Sequence, residues 1–332
     1  MADVVWIFNF KRARYTGDSN TTLIKDPCFS KNEKKMVHAR IQSPSSILTY
    51  KQCPRKYFFQ YIMKMPTGKN IHLVRGGIVH KVLELFFQMQ GEDLAESFDV
   101  TIECLRKRIN ALFVEEWNAR REDVSSLGMP EEQIQFYFEE TSMMISQYIE
   151  HFIQRLQKAM IKKGISHNAA FDLLKPKTEQ HLLSEEHGVQ GFIDAIEHID
   201  GKVALMDYKT SKKSYITEEY RLQLGIYALL YKEKTGENAH KVGIHYLTNG
   251  RILLDVDQNL VDHAKEEVKA VHNATKSKEI KDYPQNITPL CKWKTGQCDF
   301  YEYCFKQKQI AGYSSPASSS PPASSSPDSS LS

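Results

Sequence analysis

The stretch that decides the fold is residues 191–210, which read GFIDAIEHIDGKVALMDYKT. Two segments rich in Val, Ile and Leu flank Asp200-Gly201, and both of these residues tolerate positive φ. The stretch therefore predicts a β-hairpin closed by a two-residue type I′ turn. Such a turn fixes the register, because facing residues must then have numbers that sum to 401. Asp194 faces Asp207 in this register, with Cβ atoms roughly 5 Å apart.

Two facing carboxylates indicate a cation site. Like charges opposite each other destabilise a sheet, so the pairing of Asp194 with Asp207 makes sense when a divalent cation lies between them. Lys209 returns to the same face two residues after Asp207. Oxygen ligands of this kind favour Mg²⁺ or Mn²⁺. The alternative, an exposed face with incidental charges, fits less well because the neighbours predicted on that face are apolar: Phe192, Ile196, Val203 and Leu205.

Two predicted helices carry further candidate side chains, each pair separated by one helical turn. Taken alone, His80 and Tyr227 would be assigned to the core, and only the strand site makes them candidates for function. The pairs are His80 and Glu84 on a helix predicted over residues 78–90, after Gly76-Gly77, and Gln223 and Tyr227 on a helix predicted over residues 218–234.

The remaining patterns predict an α/β sandwich around a mixed sheet. A short helix begins at Ser43-Pro44 and is interrupted at Pro54. Other helices are predicted over residues 100–118, 131–161 and 258–273. Strands are predicted over residues 180–187, 190–199, 202–210, 241–247 and 251–256, the last two joined by a two-residue turn at Asn249-Gly250.

Composition places the chain among ordinary globular proteins. Its 332 residues are 41% hydrophobic and 26% charged, and the net charge of +3 permits a nucleic-acid partner without arguing for one. No apolar run has the length of a membrane span, and residues 4–8 lack the features of a signal peptide, so we expect a cytoplasmic protein without a membrane partner. Residues 1–40 form a poorly patterned extension, residues 41–312 the folded domain, and residues 313–332 a disordered tail of Ser, Pro and Ala.

Four motifs in this order resemble the RecB-like branch of the PD-(D/E)XK nucleases. They are GGIVHKVLE (residues 76–84), GFID (191–194), DYKT (207–210) and QLGIY (223–227). The resemblance covers about residues 43–306. Within this branch, the chain is similar to the CRISPR-associated and AddB-type exonuclease domains. It implies a restriction-endonuclease-like core, a central mixed β-sheet flanked by helices, with residues 100–170 as a helical insertion.

The resemblance also implies a role for each motif residue. His80, Asp194, Asp207 and the Tyr208 carbonyl would hold Mg²⁺ or Mn²⁺. Lys209 would orient the attacking water or stabilise charge on the phosphate. Gln223 and Tyr227 would hold DNA or support the site. The expected activity is metal-dependent hydrolysis of DNA, by an exonuclease that prefers single strands and acts in DNA repair, recombination or CRISPR adaptation.

The six cysteines are too few to staple a chain of this length by disulfides, and clustered cysteines in a reducing compartment are more often metal ligands. The resemblance implies that Cys291, Cys298 and Cys304 join Cys53 to bind a [4Fe–4S] cluster that staples the two chain ends together. The family spaces the first two of the C-terminal cysteines as CxxC, whereas residues 294–297 look inserted here. Structural zinc is the alternative occupant, and unligated thiols are the third possibility. Two cysteines are expected to be bystanders: Cys28 and Cys104.

Two other classes of function compete with the nuclease. One is a non-catalytic iron–sulfur, nucleic-acid-binding subunit of a helicase–nuclease complex, and the other is an electron-transfer protein. The intact set of Asp194, Asp207 and Lys209 speaks against the first, because such a subunit has no need of facing carboxylates, and the second fits poorly with the nuclease motifs. The sequence has no nucleotide-binding phosphate loop, so helicase activity would belong to a partner. The expected partners are single-stranded DNA and a helicase or CRISPR adaptation protein.

Overall fold

The computed structural model describes residues 40–294 and 296–306. The extension and tail predicted at the two ends lie outside these residues, apart from Arg40. The helices are α1 (Pro44–Gln52), α2 (Pro54–Tyr57), α3 (Ile71–Phe86), α4 (Phe98–Ala119), α5 (Arg121–Ser125), α6 (Glu131–Lys163), α7 (His167–Leu174), α8 (Glu218–Thr235), α9 (Gln258–Ala274) and α10 (Tyr301–Phe305). The strands are β1 (Lys177–Ser184), β2 (Val189–Ile199), β3 (Lys202–Lys209), β4 (Lys241–Tyr246), β5 (Gly250–Asp255), β6 (Lys292–Trp293) and β7 (Gly296–Gln297).

The central sheet is mixed, with five strands in the order β1-β2-β3-β4-β5. Strands β3 and β4 are parallel and are joined by the crossover helix α8, whereas the other neighbours are antiparallel. The predicted α/β class with a mixed sheet flanked by helices is confirmed, and the architecture agrees with a restriction-endonuclease-like core.

Two apolar clusters hold the helices to the sheet. The larger cluster joins α3, α4, α6 and α7 to the sheet through residues such as Phe86, Phe113 and Phe152. The second joins α8 and α9 to the sheet through residues such as Leu230 and Val268. The helices predicted over residues 100–118 and 131–161 are observed as α4 and α6, each with one apolar face buried. These helices and α7 lie within the predicted insertion, residues 100–170, or run just past its ends.

The turn at Asp200-Gly201 has the predicted two-residue form. Its residues have φ of 48° and 75°, and the β2–β3 pairs run from Ile199–Lys202 to Ala195–Met206. Every pair sums to 401, so the predicted register is confirmed.

Helix α3 begins earlier than predicted. The side chain of Asn70 caps it by accepting from the Leu73 N–H, so Gly76-Gly77 lies inside the helix rather than before it. The prediction of a helix over residues 78–90 was wrong at both ends, because a glycine pair is a common boundary signal that buried neighbours can override. Strand β1 likewise begins and ends three residues before its predicted bounds.

The β4–β5 hairpin has a three-residue loop, so the predicted two-residue turn at Asn249-Gly250 was wrong. Tyr246 pairs with Gly250, which has φ of 84°. The buried Leu247 donates its N–H to the Lys209 carbonyl and so extends the contact with β3. The Asn249 side chain donates to two carbonyls of the loop after β3, at 2.9 and 3.0 Å. Tertiary contacts therefore set this loop.

Among the described residues, no helix has the length and apolar character needed to cross a membrane.

Candidate metal and catalytic centre

The candidate centre lies where strands β2 and β3 diverge. Their pairing stops at Ala195–Met206, after which β2 continues beside β1 and β3 continues beside β4. The Tyr208 N–H donates to Asp194 Oδ2 at 2.7 Å. The Asp194 carboxylate thus accepts from the Tyr208 N–H in place of a backbone carbonyl of β2. This bond to the β3 backbone fixes the position of the carboxylate.

His80 reaches this point from α3. Its Nε2 lies 3.2 Å from the Tyr208 carbonyl oxygen, and its Nδ1 lies 3.4 Å from Asp194 Oδ1 and 3.4 Å from Glu179 Oε1. Burial by itself would lower the pKa of His80, but the contacts with Asp194 and Glu179 outweigh burial and raise it to about 10. Surroundings that favour a protonated imidazole also favour a bound cation.

Glu179 is the site residue that the sequence pattern missed. It lies on β1 between Thr178, which pairs with Ala195, and Gln180, which pairs with Ile193, so the register puts it opposite Asp194. Its φ of 47° is unusual for a residue with a side chain. Nothing in the sequence signals this backbone conformation, and in a strand an isolated Glu reads as a solvent-facing residue.

The strand alternation breaks at the same place. Ile193 and Ile196 pack in the same cluster around α8, although strict alternation would put them on opposite faces. Phe192 is 56% exposed and packs its ring on His181, so the expectation that it shares the apolar face of Asp194 was wrong. The irregular β1 backbone at Glu179 lies opposite this break.

Asp207 and Lys209 form a buried ion pair on β3. Lys209 Nζ lies 2.6 Å from Asp207 Oδ2, and the Asp207 side chain is almost fully buried. Burial and the charge of Asp194 raise the pKa of Asp207 to about 6. Burial opposes the charge on Lys209, yet Asp207 outweighs it and raises the pKa of the lysine. Lys209 therefore stays a cation at neutral pH.

Helix α8 supports Asp207. Gln223 Nε2 donates to Asp207 Oδ1 at 2.8 Å and lies 2.8 Å from the Tyr227 hydroxyl. Tyr227 is buried, and its hydroxyl donates to the same Asp207 oxygen at 3.5 Å. Gln223 and Tyr227 thus both contact the Asp207 carboxylate. Of the two roles that the resemblance implied, holding DNA or supporting the site, these contacts correspond to support of the site.

The donor atoms fit a divalent cation. Ligand atoms of His80, Glu179 and Asp194 all lie within 4.8 Å of one another, and the Tyr208 carbonyl faces the same imidazole. One imidazole with several oxygens is a donor set suited to Mn²⁺ or Mg²⁺. Three of the predicted ligands, His80, Asp194 and the Tyr208 carbonyl, lie together here with Glu179. Asp207, the fourth predicted ligand, contacts Lys209 and Gln223 instead.

The four predicted cluster cysteines also converge. Cys53, Cys291, Cys298 and Cys304 all line one cavity between the helices near Cys53 and the C-terminal segment. Gly296 and Gln297, two of the residues that looked inserted, form β7, which pairs with β6 in a hairpin. At the base of this hairpin the Cys298 N–H donates to the Cys291 carbonyl at 2.9 Å. The insertion therefore projects outward and leaves the two cysteines opposite each other. The two cysteines outside this set are Cys104, exposed on α4, and Cys28, outside the described residues.

Comparison with known proteins gives the family. The family model described as the PD-(D/E)XK nuclease superfamily matches residues 42–305. A crystal structure of a candidate exonuclease from Eubacterium rectale aligns with a TM-score of 0.46 and 12% identity, over 89% of this chain and 97% of that one. The protein SSO0001 aligns with a TM-score of 0.21 and 18% identity, over 41% of this chain and 68% of that one. No curated protein matches the sequence. On the family match, the chain belongs to the PD-(D/E)XK nuclease superfamily.

Proposed function

We propose that this protein is a metal-dependent deoxyribonuclease whose centre comprises His80, Glu179, Asp194, Asp207 and Lys209. The observation that carries the proposal is the convergence of an imidazole, carboxylates and a lysine ammonium where two strands diverge. A structural sheet has no need of such a cluster of buried charges, which costs free energy unless it serves a cation or a substrate.

Each residue has a role that follows from its contacts. The cation would be held by His80, Glu179, Asp194 and the Tyr208 carbonyl. Asp207 would add a further carboxylate beside these ligands. A bound Mg²⁺ or Mn²⁺ would supply a Lewis acid and a water of lowered pKa. Lys209 remains protonated, so it stabilises negative charge on the phosphate rather than acting as a base. Gln223 and Tyr227 orient the Asp207 carboxylate.

We propose single-stranded DNA as the preferred substrate of an exonuclease. The groove beside the centre is lined by Leu73, whose side chain is 64% exposed, and by Tyr220, whose ring lies 5.1 Å from Lys209 Nζ. Apolar and aromatic surfaces beside cations suit unpaired bases, which stack without sequence preference. A place in DNA repair, recombination or CRISPR adaptation, with a helicase or CRISPR adaptation protein as partner, rests on the resemblance to the RecB-like branch alone.

We also propose that the cysteine cavity holds a [4Fe–4S] cluster. Two observations support this proposal: four thiols line one cavity, which is the usual ligand number, and the β6–β7 hairpin accommodates the unusual spacing of Cys291 and Cys298. The cavity joins the start of the domain to its end, so the cluster would serve as a structural staple.

The decisive experiment is cleavage of end-labelled single- and double-stranded DNA with Mg²⁺ or Mn²⁺. We expect a ladder of products that shortens from one end, faster on single strands, and complete inhibition by excess chelator. Asp207→Ala and Lys209→Ala should abolish cleavage while the protein stays folded. Full activity in either variant would refute the assignment. DNA binding without cleavage under every condition would instead favour the non-catalytic subunit.

A further inference from the structure

Arg120 lies in the groove beside the candidate centre, and its side chain has no partner among the residues that the structure describes. It lines the same groove as His80, Glu179 and Lys209, from the junction of α4 and α5. Its backbone N–H bonds to the end of α4, whereas its guanidinium makes no hydrogen bond or ion pair with any residue that the structure describes. A guanidinium held in a groove without an anion is suited to bind one supplied by a ligand.

The other cations of the groove are already engaged. Lys81 Nζ lies 2.9 Å from Glu84, and Lys209 Nζ lies 2.6 Å from Asp207. Carboxylates of Glu84 and Glu179 also line the groove, so a polyanionic strand entering it meets two acidic side chains. Arg120 is positioned to offset that repulsion.

The glycine pair of α3 makes room at the level of Arg120. A Cβ atom at Gly77 would lie 3.3 Å from Arg120 Nη1, and one at Gly76 would meet nothing within 4 Å. The α3 backbone therefore has no side-chain atoms next to the guanidinium at Gly76 and Gly77. Gly77 and His80 share a face of the helix and are about 4.5 Å apart along its axis, roughly one helical turn.

We propose that Arg120 binds a backbone phosphate of the substrate strand, separate from the phosphate at the metal and lysine centre. Gly76 and Gly77 let the strand approach α3 closely enough for that contact. This proposal rests on the proposed nuclease function. It adds a substrate-positioning residue that none of the recognised motifs includes, and it predicts a contact independent of base sequence.

The test compares Arg120→Gln, Arg120→Lys and the control Arg121→Gln. Arg121 is the neighbouring residue, is exposed and does not line the groove. Binding of a fluorescent single-stranded oligonucleotide is measured by anisotropy at several salt concentrations, with Ca²⁺ in place of Mg²⁺ and a gel to show that the strand stays intact.

Arg120→Gln should raise Kd about tenfold at low salt, as expected for loss of one charge-assisted hydrogen bond. It should also reduce the slope of log K against log salt by about 0.7, the loss of one phosphate contact on a single strand. The same loss is expected for oligonucleotides of different sequence. Arg120→Lys should retain the slope with a smaller rise in Kd, and Arg121→Gln should behave as wild type.

Wild-type affinity and slope in Arg120→Gln would overturn the proposal, as would failure of this variant to fold, since the proposal requires a guanidinium free of structural contacts. Failure of the nuclease function is separate: it would show as absence of cleavage by the wild-type protein. In that case the Arg120→Gln binding curve still decides whether this side chain holds a nucleic-acid strand.

Discussion

At the scale of single residues, Glu179 is the most informative side chain, because its proposed role as a metal ligand can be tested separately from the proposed role of Lys209 at the phosphate. Glu179 contacts His80 and lies among the candidate ligands, whereas Lys209 contacts Asp207. We expect Glu179→Gln to raise the Mn²⁺ concentration needed for half-maximal cleavage at least about tenfold, the lower range reported for weakened metal sites.

High Mn²⁺ should restore activity in Glu179→Gln but not in Lys209→Ala. The exposed neighbour Gln180, changed to Ala, is the control and should titrate as wild type. A Glu179→Gln curve that overlays the wild-type curve would remove Glu179 from the ligand set.

His245 makes a second prediction at this scale, on pH and stability. Burial, with the nearby charges of Arg251 and Arg155, lowers the pKa of His245 from 6.5 to about 3. The unfolded chain therefore binds a proton below about pH 6.5 that the folded chain does not. The histidine favours unfolding as pH falls through this window, by at most about 1.4 kcal/mol per pH unit.

His245→Phe removes this titrating group. The variant should lose less of its free energy of unfolding than wild type between pH 7.5 and pH 5, measured by urea denaturation. His198→Asn, at an exposed position on β2, should retain the wild-type pH dependence. An equal loss in wild type and His245→Phe would show that the histidine is not neutral in the folded protein.

At the scale of elements, the β6–β7 hairpin is an outward insertion between two candidate cluster ligands. Deleting residues 293–296 leaves Cys291-Lys-Gln-Cys298, which has the CxxC spacing of the family. Because the backbone of Cys298 already bonds to that of Cys291, we expect the deletion to retain iron content and thermal stability. Iron analysis and a melting curve test this.

The matched variant is Cys298→Ser, which keeps the hairpin and removes one thiol. It should lose iron. If the deletion loses iron as completely as Cys298→Ser, the hairpin itself sets the sulfur positions and is not a mere insertion.

At the scale of the whole molecule, the two ends of the domain are joined by an aromatic cluster as well as by the cysteine cavity. The cluster contains Tyr57, Phe58 and Phe59 from the first helices, packed on Tyr283 and Phe300. Arg55 Nε donates to the Tyr283 carbonyl at 2.7 Å. The ends are therefore held together by packing and hydrogen bonds in addition to any metal.

Protein purified without oxygen should be brown and contain about four irons per chain. Cys53→Ser and Cys304→Ser should bleach it and lower Tm, whereas Cys104→Ser, on the exposed side of α4, should change neither. Because the aromatic cluster persists, we expect both bleached variants to remain folded at room temperature, with circular dichroism close to that of wild type. A colourless protein with stoichiometric zinc would contradict the cluster and establish the zinc alternative.

Local patterns in the sequence determined the β2–β3 register and with it the strand positions of Asp207 and Lys209. The paired residues end at Ala195–Met206, so the register does not by itself fix Asp194. Local patterns suffice for the two β3 residues because a two-residue turn fixes pairing through short-range geometry, and a strand returns to one face every second residue. Helix α8 was predicted equally well, because Thr217 caps its start and Gly236 follows its last residue, and both are signals local to the helix ends.

Only the tertiary structure decided the rest of the centre. Glu179 joins it through a left-handed backbone conformation on β1, and Arg120 lines its groove from a helix junction 59 residues earlier in the chain. The start of α3 and the β4–β5 loop also departed from their local signals, because burial of Ile71, Val74 and Leu247 outweighed the glycine patterns. Contacts between residues distant in sequence leave no periodic pattern, so the strand positions of Asp207 and Lys209 were predictable, whereas Glu179 and the groove around the centre were not.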